Sequence, residues 1–208
     1  MKDLENLKFM SIGGNCADIA YLGKDRLRGP VDNVVGRKGL LTIRNLFEDN
    51  LLNVIKETPW KLEPRKPDFP GDSEITYLLT DYRVVHNDPR TEKYQVEIEK
   101  RFNNFKSFYE ELKNNPKYYF TYSLNYFDVS DTGVLSKNFF EGVNLLKSLG
   151  ILDKVIFIGT TSDKVAFWNF FPKEHNIPGL NYIEIEHFSM KEPEGIIHNQ
   201  FLKKIEML

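Results

Sequence analysis

The sequence predicts an α/β domain, a layered mixed or mostly parallel sheet flanked by helices. Three observations carry that expectation. Apolar runs at residues 8–12, 117–124 and 154–158 have the length and composition of buried strands. Stretches with apolar residues at helical spacing lie between them, as at Tyr94, Ile98, Phe102, Phe105, Tyr109 and Leu112. Strands that alternate with helices build a sheet with crossover connections.

The elements follow in order. Residues 8–12 form a first strand that ends at Gly13-Gly14. Asn15 has N-cap chemistry with Asp18 three positions on, so a helix is expected from Cys16 to about Leu27, stopped by Gly29-Pro30. Leu41, Ile43, Leu46, Phe47, Leu51, Val54 and Ile55 give residues 38–55 a helical spacing, in two pieces broken near Asn50. The proline-rich stretch 64–71 reads as an irregular loop. Residues 75–79 and 82–86 have strand composition around Thr80-Asp81, the pattern of a hairpin.

Asp88-Pro89 resembles a cap and first-turn proline for a helix to about Asn114. After the strand 117–124, residues 125–133 read as a polar loop, and a helix over 136–149 is closed by Gly150. The strand 154–158 leads through Gly159-Thr160-Thr161-Ser162-Asp163 into a short helix. A last strand over 182–188 and a terminal helix over 196–207 complete the chain.

The chain has 208 residues, 41% hydrophobic and 28% charged, with a net charge of -2. That fits one globular domain over residues 1–208, with the loop 61–74 as its only weak internal boundary. The absence of a basic excess argues against a nucleic-acid partner. The N-terminal residues include Asp3 and Glu5 and have no apolar core, so no signal peptide is expected there. No apolar run is long enough for an integral membrane segment, and the lone cysteine fits a reducing, cytoplasmic location.

That cysteine, Cys16, is the centre of any expected chemistry. A strand, two glycines and a helix start would set its thiol among unpaired N–H groups at the positive end of a helix dipole. Such a place lowers a thiol pKa and makes the thiolate available as a nucleophile. The N–H groups around Gly14 and Asn15 would there hold an oxyanion or another ligand. Packing as a small buried hydrophobe is the alternative for Cys16.

A thiol nucleophile needs a base and a group to orient it. Among His86, His175, His187 and His198, the first choice is His86, at the end of a strand, and the second is His187, also at a strand end. Asp32, in Gly29-Pro30-Val31-Asp32, is the expected orienting group, with Asp88 as the alternative. The turns at Gly13-Gly14 and at Gly159-Thr160-Thr161-Ser162 also have the composition to cradle a phosphate, though neither matches a Walker A loop or a dinucleotide fingerprint. One cysteine with scattered histidines supplies no metal site.

The run Ser11-Ile12-Gly13-Gly14-Asn15-Cys16, then Gly29-Pro30-Val31-Asp32, then His86 and Asn87-Asp88, resembles a family of bacterial papain-like cysteine peptidases of otherwise unknown function. The resemblance covers about the first 125 residues and extends to Arg101-Phe102 at the family's Arg-Phe position. Val31 and Asn33 stand where members carry aromatic residues, and Asn87 is inserted before Asp88. The resemblance implies a papain-like Cys-His site, with Cys16 as nucleophile, His86 as base and Asp32 or Asp88 as third group. It also makes Arg101 a secondary site residue.

The Gly-Asn-Cys start is similar as well to capsule-biosynthesis acetyltransferases with a related site, which bind coenzyme A. The expected function is therefore a cysteine-dependent hydrolase or acyl-transfer enzyme acting on a small-molecule, peptide or glycan substrate. It needs no cofactor as a hydrolase, and coenzyme A if it is an acetyltransferase of surface-polysaccharide biosynthesis. A non-catalytic module that binds phosphate or a nucleotide is the alternative from another class, and a degenerate member that keeps the fold as an interaction surface is a third.

Overall fold

Six consecutive buried residues, Val155–Thr160, require cover on both faces, so this strand has to be internal to a layered structure. The computed structural model of the chain describes residues 6–14, 22, 27–31, 34–56, 59–66, 73–79, 81–84, 87–162, 169–173, 177–186 and 195–208, and places the strand there. In chain order the strands are β1 (Lys8–Ser11), β2 (Val34–Gly36), β3 (Lys61–Pro64), β4 (Ile75–Leu78), β5 (Tyr82–Val84), β6 (Tyr118–Ser123), β7 (Val155–Thr160) and β8 (Asn181–Ile185). The helices are α1 (Arg44–Phe47), α2 (Leu51–Lys56), α3 (Glu92–Asn114), α4 (Lys137–Ser148) and α5 (Ile196–Glu206), with 3-10 turns at Gly39–Ile43 and Leu152–Lys154.

One sheet is wholly parallel, in the order β1-β6-β7-β8. Its register sets Met10 beside Phe120, Phe120 beside Val155 and Phe157 beside Tyr182. Because side chains alternate along a strand, Met10, Phe120, Tyr122, Val155 and Phe157 share one face. The aromatic stripe of α3 and the apolar face of α4 cover it. Phe105 stacks on Phe120 with ring centroids 5.6 Å apart, and Phe139 meets Phe157 edge-on at 5.6 Å. On the other face Ile156, Ile158, Ile183 and Ile185 pack against Ile197, Phe201 and Ile205 of α5, joined by Leu22.

The second sheet corrects the expectation of one mixed or mostly parallel sheet. It is antiparallel, in the order β2-β5-β4-β3. The expected hairpin is its centre, closed by Leu79 N–H donating to the Tyr82 carbonyl. Its flanks are short. β3 is mostly exposed and includes Pro64, from the stretch expected to be irregular; proline is tolerated at an edge because no neighbour needs its N–H there. Tyr77, Tyr82 and Val84 bury their side chains in the same cluster as the parallel sheet's first face.

Helix boundaries follow local chemistry. Thr91, rather than Asp88, is the N-cap of α3, its hydroxyl accepting from Tyr94 N–H at 3.3 Å. Ser136 caps α4 in the same way through Phe139 N–H at 3.1 Å, and Gly150 leaves that helix at a φ of +69°. The break near Asn50 separates α1 from α2 as expected. Strand β8 ends at Ile185, and the short helix expected after Ser162 lies outside the described residues. Among the described residues no helix is long and apolar enough to cross a membrane.

Candidate functional site

The site is framed by the carboxyl end of β1. Ile12 N–H continues the ladder to the Thr121 carbonyl at 2.9 Å, and Ser123 N–H donates to the Gly13 carbonyl at 3.2 Å. Gly13 and Gly14 then turn with φ of +122° and +104°, a region that side chains disfavour. Gly14 also passes so close to β6 that a Cβ there would stand 1.6 Å from the Ser123 carbonyl oxygen. Gly14 is therefore required by the approach of the turn to β6, and Gly13 by its φ, whatever the turn binds.

A second segment lies alongside this turn. Leu27 bridges to Met10, and Gly29 lies so close to the Ser11 carbonyl that a Cβ would stand 2.0 Å from it. The chain thus runs beside β1 until a methyl of Val31 reaches the free space over Gly13, 3.2 Å from where its Cβ would be. Gly36 and Tyr82, paired across β2 and β5, complete a cleft with Gly13, Gly14, Val31 and Tyr122. Its volume is about 10 Å³, room for about one water. Burial raises the pKa of the Tyr82 phenol, whose hydroxyl donates to the Thr42 carbonyl at 3.3 Å.

Behind the cleft stands a group that sequence reasoning missed. Asp128 is fully buried, and its Oδ1 accepts from Leu40 N–H at 2.6 Å. Its Oδ2 accepts from the Tyr122 hydroxyl at 2.8 Å and from Asn125 N–H at 3.1 Å. Burial pushes this carboxyl up to about 7, against the pull of those three donors. Buried Asn125 donates from Nδ2 to the Gly14 carbonyl at 2.8 Å, while its Oδ1 accepts from Phe127 N–H at 2.7 Å. A polar run after a strand looks like a solvated loop; the available signal was Asn125 and Asp128 at the spacing of a side-chain-closed turn.

Of the expected site residues, Gly14 lies in the turn just described. Asn15, Cys16, Asp32, His86, His175 and His187 lie outside the described residues. Asp88 precedes α3, and its carboxylate accepts from Arg90 Nε at 2.9 Å, Nη2 at 2.8 Å and the backbone N–H at 3.0 Å. The Arg90 guanidinium holds the Asp88 carboxyl below its ordinary pKa. Arg101 is buried on α3, where its Nε meets Glu97 at 2.8 Å. His198 lies on α5.

At the other glycine-containing turn the backbone donors are already engaged. Thr160 N–H goes to Phe170, Thr161 N–H to Ile185, and Ser162 N–H to Asn169 Oδ1 at 2.6 Å. Among the described residues no three His, Cys, Asp or Glu side chains gather as a metal site. Comparison of the chain with protein-family models, with curated proteins and with solved structures finds no match.

Proposed function

We propose that the protein is a cysteine-dependent acyl-transfer enzyme in which Cys16 is the nucleophile, His86 the base and Asp32 the group that orients it. The observation that carries this reading is the convergence of the described residues flanking all three positions. Val31, beside Asp32, packs on Gly13, three residues before Cys16. β2 and β5 pair with Gly36 opposite Tyr82 and Val34 opposite Val84. Val34, two residues after Asp32, thus stands across from Val84, two residues before His86. Asp32 is preferred to Asp88 because the Asp88 carboxylate is held by Arg90.

The chemistry is acyl transfer in two steps. The Cys16 thiolate forms a bond to the carbonyl carbon, and the carbonyl electron pair moves onto oxygen, where backbone N–H groups beyond Gly14 stabilise it. The carbon–nitrogen bond then breaks, and the His86 imidazolium gives its proton to the leaving amine. In the second step neutral His86 takes a proton from water, whose oxygen attacks the thioester. The carboxylic product leaves and the thiolate returns.

Water is taken as the acceptor, which makes the reaction a hydrolysis. The phosphate-binding alternative gains nothing from the 160–162 turn, whose donors are engaged within the protein.

With one cysteine in the chain, alkylation by iodoacetamide reports on Cys16 alone. Cys16 should react faster than a model thiol at pH 7, and His86→Ala should slow that reaction and lower hydrolysis of an activated amide about 10²–10⁴-fold. A Cys16 that reacts no faster than a model thiol, or that is indifferent to His86, removes the proposal.

A further inference from the structure

The buried polar cluster behind the cleft links three segments that are distant in sequence. The Asp128 carboxylate ties the Gly39–Ile43 turn, through Leu40 N–H, to the end of β6, through Tyr122 and Asn125. Asn125 passes the connection on to the Gly14 carbonyl. The glycine at position 39 belongs to the same construction: it has a φ of +55°, and a Cβ there would stand 2.3 Å from Asp128 Oδ1. A carbonyl held by a buried donor fixes the plane of its whole peptide group, and the Gly14 peptide is the one that leads toward Cys16.

We propose that Asp128 and Asn125 are positioning residues of the candidate site, the ionised Asp128 carboxylate holding Asn125 and Asn125 aiming the Gly14 peptide. The effect on chemistry rests on the Cys16 reading; the hold on Gly14 does not. An ionised carboxylate only accepts, which suits three donors. Once protonated it carries an O–H that needs an acceptor. Leu40 and Asn125 face it with N–H groups, leaving the Tyr122 hydroxyl, among the described residues, as the partner able to receive that proton. Protonation therefore turns the Tyr122 bond round and weakens the acceptance from Asn125 N–H, which loses its charged partner.

Burial sets the Asp128 pKa at about 7, so both states are populated near neutrality. Among the described residues no charged side chain contacts the carboxylate. The Gly39–Ile43 turn has no ionisable side chain, and Lys38 before it pairs with Asp81. On α4, Lys137 pairs with Glu141 and Lys147 is exposed; Asp131, in the loop before α4, is exposed too. Tyr122 is the titratable side chain in contact with the carboxylate among the described residues.

The test labels the glycine carbonyls of the full chain with ¹³C and follows the Gly14 signal across about two pH units on either side of neutrality. The expected result is a step in the Gly14 shift near pH 7, absent in Asp128→Asn and in Asn125→Ala. The rate of Cys16 alkylation should carry the same inflection, and Asn125→Ala should slow it about tenfold. A flat Gly14 signal in the unmutated protein, or a step that survives Asn125→Ala, overturns the proposal even if Asp128→Asn fails to fold. The carbonyl step is also read in Cys16→Ala. A normal step with an unreactive Cys16 defeats the enzyme reading and leaves the positioning intact; a flat signal with a reactive Cys16 does the reverse.

Discussion

Every residue of β7 in the parallel sheet is buried, and both faces of that sheet are covered, by α3 and α4 on one side and by α5 on the other. In the antiparallel sheet β3 is largely exposed, Leu62 keeps 44% of its surface in water, and β4 and β5 pack their apolar residues inward from one side. Apolar burial contributes roughly 25 cal/mol per Å², so the two sheets differ in what holds them. On that ground the parallel sheet is expected to be the firm half, and the antiparallel sheet to open at lower free energy. The candidate site draws on both, with the Gly13–Gly14 turn on the firm half and the β2–β5 pairing on the softer one.

The strongest test of this contrast is Phe157→Ala, which removes a fully buried ring from the centre of the parallel sheet. It should cost about 3–5 kcal/mol, read by denaturant unfolding, and lower hydrogen-exchange protection in both sheets together. Loss of protection in β6 and β7 alone would break the contrast. Tyr82→Phe removes one hydroxyl that bonds the Thr42 carbonyl and should cost about 1 kcal/mol. Exchange should quicken in β2, β4 and β5 and stay unchanged in β7; equal quickening in β7 would mean the two sheets open as one.

The smallest effect lies at the rim, where Asp88 meets Arg90. The folded Asp88 pKa is depressed, so its contribution is present above the unfolded value of 3.8 and is lost as pH falls through the folded one. Arg90→Ala should lower stability at neutral pH by a small constant amount, and the difference from the unmutated protein should close below about pH 4. A gap that persists at low pH would assign the effect to Arg90 packing over the Tyr77 ring, 5.3 Å from its centroid.

The same contrast explains what could be read from the sequence. Strands buried on both faces are continuous apolar runs, so β6 and β7 stand out, and α3 and α4 declare themselves by spacing and caps. The hairpin of β4 and β5 was legible because its two strands are adjacent. β2 and β3 were not, because three or four residues carry no period, and their place depends on partners elsewhere in the chain. At the site, Gly13-Gly14 was legible as a special turn, although the reason is the nearness of Ser123 as much as any ligand. Asp128 was hidden because one of its partners, the N–H of Leu40, lies 88 positions away.

The pairing of β1 with β6 has a consequence for synthesis. Lys8 finds its ladder partner at Tyr118, and the Gly13–Gly14 turn is closed by Ser123 and Asn125. At ribosomal speeds of about 5–20 residues per second, the first strand waits roughly 5–20 s for that partner to be made. Until then the Gly13–Gly14 turn lacks the carbonyl contacts that shape it. Any nucleophilic power Cys16 derives from this turn is therefore withheld from unfinished chains, so a ribosome-stalled product ending before residue 118 would carry an ordinary thiol.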